Sequence, residues 1–293
     1  RDRLRSRGLG DVYKRQPPDY AAELAKVMNS TFTKGGNLVI PAFSVGRTQE
    51  MLYYMRRIKT EGLLPEYPGF EVYIDSPLAV EATNIFHKSV EECFDEEARQ
   101  LVQSGINPIQ FPGLKVAVSS EESKMINFNQ KSKVIISASG MCEAGRIRHH
   151  LKHNLWREDS TILFVGYQAE GTAGRALIEG ATEIKLFGEP VHVAAKICRM
   201  PGISGHADVN GLIEWAKAFE TRPKHVFVTH GDDTVTEIFA QRLKEELGYD
   251  ATAPFSGTEY DLLENRCIHE AVGVRIVKAT ASPKTTKAAR AYE

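Results

Sequence analysis

The sequence has no long apolar run: no stretch of about 18 apolar residues occurs, so it encodes no membrane-spanning helix. Its four cysteines, Cys93, Cys142, Cys198 and Cys267, stand far apart and form no CxxC pair. That argues against a disulfide scaffold or a zinc ribbon and for a reducing compartment, expected to be the cytoplasm. Charge of one sign is not in excess. Lys and Arg number 37 and Asp and Glu 38, a net of −1, which argues against a general polyanion binder and for any anion contact being local. There is no Walker A motif and no GxGxxG after a strand, so a nucleotide cofactor has little support. Internal repeats and low-complexity segments are also missing. What is present is ordinary globular material: 293 residues, 42% hydrophobic and 26% charged, enough for two domains or one large one.

The ends read differently from the middle. Residues 1–16 hold six basic residues and two acidic ones and have no apolar h-region. They are expected to be a non-native leader; the alternative is a basic arm for nucleic acid. Residues 281–293 are polar and without periodicity, the pattern of a flexible tail.

Between the ends, short apolar runs alternate with helical spacings. Leu24, Val27, Met28 and Phe32 predict an amphipathic helix over 19–33. Strands are predicted at Asn37–Phe43, Glu71–Asp75, Leu114–Val118, Lys133–Ala138 and Thr161–Gly166. Helices are predicted near 46–60, 121–128, 143–155 and 172–179, and a further one opening at Ser76-Pro77. Such alternation means βαβ units and a mainly parallel sheet, an α/β fold with a Rossmann-like first part. Glu183–Phe187 and Val191–Cys198 suggest a hairpin about Gly188-Glu189-Pro190. Helices at 209–219 and 234–247 then flank a strand at Lys224–Thr229.

Two histidines fall at promising places. His206 lies in Ile203-Ser204-Gly205-His206-Ala207-Asp208, just before a helix for which Asp208 suits the N-cap. His230 ends the strand that runs from His225, and Thr234 with Glu237 could form a capping box beyond it. Histidines at strand or loop ends of an α/β layer can ligate a metal or move a proton. Two loop histidines satisfied by backbone explain the spacing equally well.

The motifs taken together go further. SGHAD at Ser204–Asp208 and THGD at Thr229–Asp232 stand in order after IPAFSVGRTQE (Ile40–Glu50), IDSPLA (Ile74–Ala79), SASGM (Ser137–Met141), GRIRHHLKHNL (Gly145–Leu155) and ILFVGYQAEGTAG (Ile162–Gly174). Over about residues 17–265 the chain resembles the metallo-β-lactamase-fold RNA-processing nucleases that carry a β-CASP domain. The resemblance implies a β-CASP domain over 17–195 and, over 196–280, the C-terminal segment of a metallo-β-lactamase αββα sandwich. It implies that His206 contacts the scissile phosphate and assists proton transfer, and that His230 ligates zinc. A histidine at the second place favours RNA over DNA in that family. It further implies that the SASGM loop, Ser137, Ala138, Ser139, Gly140 and Met141, touches the RNA backbone. A plain reading of that loop is a tight strand-to-helix turn. Arg175 after the GTAG turn could reach a phosphate, or stand as a surface arginine.

The family's principal metal ligands form an HxHxDH motif with a later His and Asp, all upstream of the β-CASP insertion. This sequence contains no HxHxDH. The resemblance therefore implies a fragment of a zinc-dependent ribonuclease, two zinc ions belonging to the whole enzyme. One histidine cannot hold a catalytic zinc, so this chain alone is expected to cleave nothing. The alternative is a non-catalytic RNA-binding β-CASP module. Single-stranded RNA is the expected partner in either case, with no membrane and with a homodimer possible. Asp75 sits at a strand end and is not the family's acidic motif. His149, His150 and His153 read as a packed helix face.

Overall fold

The computed structural model describes residues 19–90, 94–200, 207–231 and 233–273, and they fall into two compact units divided between residues 206 and 207. The leader and the tail expected from sequence, and His206, lie outside the described residues.

The first unit is built on a six-stranded sheet, β1 (Leu38–Pro41), β2 (Glu71–Ile74), β3 (Leu114–Val116), β4 (Lys133–Ser137), β5 (Thr161–Phe164) and β8 (Lys196–Arg199). Its order is β3-β2-β4-β1-β5-β8 and every pairing is parallel. Every residue of β1, β4 and β5 is buried, the signature of a parallel sheet covered on both faces. Alternate side chains point to opposite faces. Leu38, Ile40, Val72, Ile74, Val134 and Ile136 enter one core, while Val39, Ile135, Ile162 and Phe164 enter the other. The helices divide the same way. α1 (Tyr20–Phe32) and α2 (Arg47–Thr60) bury Leu24, Met28, Met51, Leu52 and Met55 in the first core. α5 (Ser120–Phe128), α6 (Ile147–Asn154) and α7 (Ala173–Ile178) bury Ile126, Ile147, Leu151 and Leu177 in the second. α3 (Pro77–Lys88) follows β2, with Pro77 in its first turn and Ser76 capping the amide of Ala79, and α4 (Glu96–Gln103) follows it.

The chain thus leaves β1 and β2 towards one face and leaves β4, which lies between them, towards the other. Loops that part in this way open a crevice at the carboxyl edge of the sheet, where α/β folds place their ligands.

One expected strand divides. The hairpin exists, with β6 (Glu183–Leu186) antiparallel to β7 (Glu189–His192) about Phe187-Gly188, both at positive φ. Val191–Cys198 is not a single arm, however. The amides of Ala194 and Ala195 both donate to Leu155 O, at 2.7 and 2.8 Å. That turn redirects the chain, and Lys196–Arg199 joins the main sheet beside β5. The change of unit had been expected after residue 195; β8 lies beyond it and still belongs to the first unit's sheet.

The second unit contains α8 (Val209–Lys217), β9 (Val226–Phe227), α9 (Asp233–Leu247), β10 (Ala251–Thr252), and a hairpin of β11 (Glu259–Asp261) with β12 (Arg266–His269). Its core is small: Ile213, Ala216, Ala240, Leu243 and Ala251. The strand expected over Lys224–Thr229 shrinks to two residues because its parallel partner β10 offers only two. α9 begins at Asp233, so Thr234 lies inside the first turn and is not the cap of an Ser/Thr-type box. Leu212 and Trp215 on α8, Phe219 just beyond it, and Val235 and Ile238 on α9 are exposed. Among the described residues no helix is long and apolar enough to cross a membrane.

Candidate functional site

The carboxyl edge of the first unit's sheet gathers four loops. They are 42–46 after β1, 75–76 after β2, 138–146 after β4 and 165–172 after β5. Hydrogen bonds join them into one surface. Ala42 N donates to Ser137 O at 3.0 Å, Asp75 N to Ile136 O at 2.9 Å, and the side-chain amide of Gln168 to Gly140 O at 2.9 Å. Gly174 N donates to Met141 O at 3.2 Å, and Ala173 N to Glu143 Oε1 at 2.6 Å.

SASGM is the middle of this surface. Ser137 is buried at the end of β4 and its hydroxyl donates to Asp75 O at 2.7 Å. The Ala138–Ser139 peptide is cis. Ser139 N donates to Ala144 O at 3.0 Å and Cys142 N to Ser139 O at 3.2 Å, closing the loop on itself. The start of α6 is not an open helix terminus, because Ile147 N donates to Ala138 O and Arg148 N to Gly145 O. The backbone donors left over are in the loop instead. The N–H groups of Gly140 and Met141 meet no acceptor among the described residues. Gly140 is buried and Met141 half-buried, and successive N–H groups without an acceptor are the donors an anion takes.

Beneath the loop lies a feature the sequence did not reveal. Asp75 is fully buried, and its carboxylate accepts from three side chains: Ser123 Oγ at 2.5 Å, His150 Nε2 at 2.5 Å and Arg146 Nη1 at 2.8 Å. Arg146 also donates to Ala117 O at 3.1 Å and Val118 O at 2.7 Å, and His150 Nδ1 lies 3.1 Å from Asn127 Oδ1. Burial pushes the carboxyl pKa of Asp75 up, but the hydrogen bonds from His150, Ser123 and Arg146 outweigh it, and the group titrates below its ordinary range. The network joins β2, the end of β3, α5 and α6, and so fixes the frame from which SASGM hangs. Among the three clustered histidines only His150 faces inward; His149 and His153 lie at the surface, and partial desolvation of their rings with neighbouring positive charge lowers both of their pKa values. Spacing along α6 could have separated the inward from the outward histidines. The partner at position 75 could not be read from it.

The other expected residues are scattered. Arg175 is on the six-residue helix α7, with its guanidinium bound to Glu179 Oε1 at 2.6 Å, and the first-turn amides of α7 are filled by Glu143, Met141 and Thr172. In the second unit Asp208 caps α8 as expected, accepting from Gly211 N at 2.7 Å. His230 is exposed, with φ at +68°, just past β9. His206 cannot be added to this geometry, lying outside the described residues. Among the described residues no three His, Cys, Asp or Glu side chains converge to hold a metal ion. His230 by itself does not make a zinc site, which takes three or four protein ligands.

Comparison with known proteins bears on the same residues. Residues 48–177 match the family described as Beta-Casp domain, and residues 190–254 match the Zn-dependent metallo-hydrolase RNA specificity domain. Ribonuclease TTHA0252 of Thermus thermophilus is 34% identical over 225 residues, covering 76% of this chain and 50% of that protein. Transcription termination factor FttA of Methanosarcina mazei is 33% identical over 252 residues, 84% of this chain and 39% of that protein. An RNase J-like protein of Methanocaldococcus jannaschii is 30% identical over 236 residues, 80% and 52% respectively. The chain therefore spans about half or less of the length of these relatives. The two matched domains, in the order the motifs stand, carry the conclusion that the chain belongs to the β-CASP family of metallo-β-lactamase-fold RNA nucleases.

Proposed function

We propose that this chain is the strand-engaging portion of a zinc-dependent ribonuclease that hydrolyses RNA phosphodiester bonds, and that its SASGM loop cradles the RNA backbone. The observation that carries the reading is the pair of N–H groups at Gly140 and Met141 that meet no acceptor among the described residues, in a loop at the carboxyl edge of the parallel sheet. Phosphate oxygens are the acceptors such donors suit, and contacts to phosphate fix register without reading sequence. Single-stranded RNA is the substrate form, since unpaired nucleotides can drape over loops that a duplex cannot enter.

Zinc enters this proposal through the family. When bound, the metal would supply Lewis acidity and an activated water. His230 is the one described residue assigned to it here, and the described residues alone do not suit a metal ion. His206 is assigned the scissile phosphate on the resemblance of SGHAD alone. The second reading, RNA binding without catalysis by this chain, is favoured by the same lack of converging ligands among the described residues.

Ser139→Asp tests the phosphate cradle. It would put a negative charge one residue before the N–H groups of Gly140 and Met141, where Ser139 Oγ now accepts from Ala144 N at 3.3 Å. The expected result is single-stranded RNA affinity about tenfold weaker or worse, corresponding to about 1.4 kcal/mol. Affinity unchanged from the parent chain would contradict the assignment of this loop.

A further inference from the structure

Two large aromatic side chains stand exposed on the surface just described, on the two loops that follow the anion-suited one along the sheet, after β1 and β5. Phe43 follows β1 and is 47% exposed; Tyr167 follows β5 and is 49% exposed. A solvent-facing Phe is costly, and neither ring contributes to the two cores below. Their backbones are fixed. Phe43 O accepts from Thr48 N at 3.2 Å and from Thr48 Oγ1 at 2.8 Å. Tyr167 O accepts from the Gln168 side-chain amide at 3.0 Å, and that same amide holds Gly140 O.

The rings are placed by the sheet. β1 and β5 are neighbours in it, so the two loops start about 4.8 Å apart. Gly140 lies against the Phe43 ring: a Cβ there would stand 3.1 Å from one ring carbon and 3.2 Å from the next. Phe43 thus borders Gly140 directly, and Tyr167 borders it through Gln168.

We infer that Phe43 and Tyr167 are a pair of stacking platforms for unpaired bases, beside the phosphate contact at Gly140 and Met141. The inference rests on the RNA-binding reading above and adds to it the groups that hold the bases. Rings of this kind take the face of any base, so the platform is expected to prefer single strands while discriminating little between sequences. Phe offers only its π-face, which excludes hydrogen-bond readout at that position.

The test uses the full chain and a fluorescein-labelled oligoadenylate, with an abasic ribose-phosphate oligomer of equal length as the comparison probe. Phe43→Ala and Tyr167→Ala are each expected to weaken oligoadenylate binding about 5- to 100-fold, the range of one lost base stack. They should leave binding of the abasic probe unchanged. Phe43→Trp should restore affinity and should report contact directly, by quenching of the new indole fluorescence when oligoadenylate is added. Because both side chains are exposed, the thermal unfolding of the alanine variants should match the parent. Oligoadenylate binding that survives both alanine substitutions would overturn the platform while leaving the phosphate contact intact. Equal losses on the abasic probe would also overturn it, because the rings would then be supporting the loop and not the bases. A parent chain that binds neither probe would overturn the RNA reading, and the platform with it.

Discussion

Asp75→Ala is expected to lower the unfolding free energy of the first unit by about 3–5 kcal/mol, the range for removing one partner of a buried charge network. The carboxylate is fully buried and accepts from Ser123, His150 and Arg146. Alanine would leave the buried His150 ring and the Ser123 hydroxyl without their acceptor, and each orphaned group carries its own desolvation cost. Arg146 would keep its bonds to Ala117 O and Val118 O, which limits the loss. The chain has two tryptophans, Trp156 in the first unit and Trp215 in the second. Urea unfolding followed by Trp156 fluorescence in a Trp215→Phe background would isolate the first unit's transition. A loss under about 1 kcal/mol would contradict the account, since that is the scale of a neutral surface change. The pH dependence has a definite sign. Asp75 titrates below its unfolded value of about 3.9, so its contribution is complete above that pH and fades as pH falls through the folded value. Parent and Asp75→Asn should therefore differ most at neutral pH and converge in acid.

Gly145→Ala is expected to cost about 2–4 kcal/mol and to weaken RNA binding together with stability. Gly145 has φ at +80°, which costs an L-residue about 1–2 kcal/mol by itself. Its missing Cβ would also sit 2.3 Å from Ala138 O and 2.9 Å from Ala138 C, both backbone atoms that cannot swing aside. Moving Ala138 O breaks its bond from Ile147 N, worth about 1 kcal/mol, and opens the SASGM loop. Gly180→Ala is the matched control, with φ at +90° and nothing within 4 Å of the added carbon. It should show the conformational cost alone. Equal losses at the two glycines would mean that the close approach at Ala138 carries no energy.

Much of this architecture could be read from the chain itself. Val-Ile-rich runs such as those at Asn37–Phe43 and Lys133–Ala138 carry no polar face, and only a sheet covered on both sides can bury them. Asp208, before the apolar stripe of α8, announced a cap that the side chain makes. The misreadings share a cause, which is a distant partner. Val191–Cys198 reads as one alternating strand until Leu155 O takes the amides of Ala194 and Ala195. Spacing on α6 sets His150 apart from its neighbours, but not its partner Asp75, 75 positions away. Within the site, SASGM was visible as a small-residue loop, but its helix was not the donor. Ala138 O and Gly145 O occupy the first amides of α6, and the N–H groups of Gly140 and Met141, in the loop before it, meet no acceptor among the described residues. Phe43 and Tyr167 sat inside the motifs that carry the resemblance, yet nothing in a sequence distinguishes an exposed ring from a buried one.

The central claim separates engagement of RNA from metal-dependent cleavage. Its most direct test is the binding of a labelled single-stranded RNA to this chain, measured with and without a chelator and followed by inspection of the RNA after incubation with zinc. The account predicts affinity that falls with salt and is indifferent to chelation, and RNA that stays intact, since the described residues offer phosphate donors but no converging metal ligands. Binding abolished by the chelator, or RNA cleaved in a zinc-dependent manner by this chain alone, would contradict it.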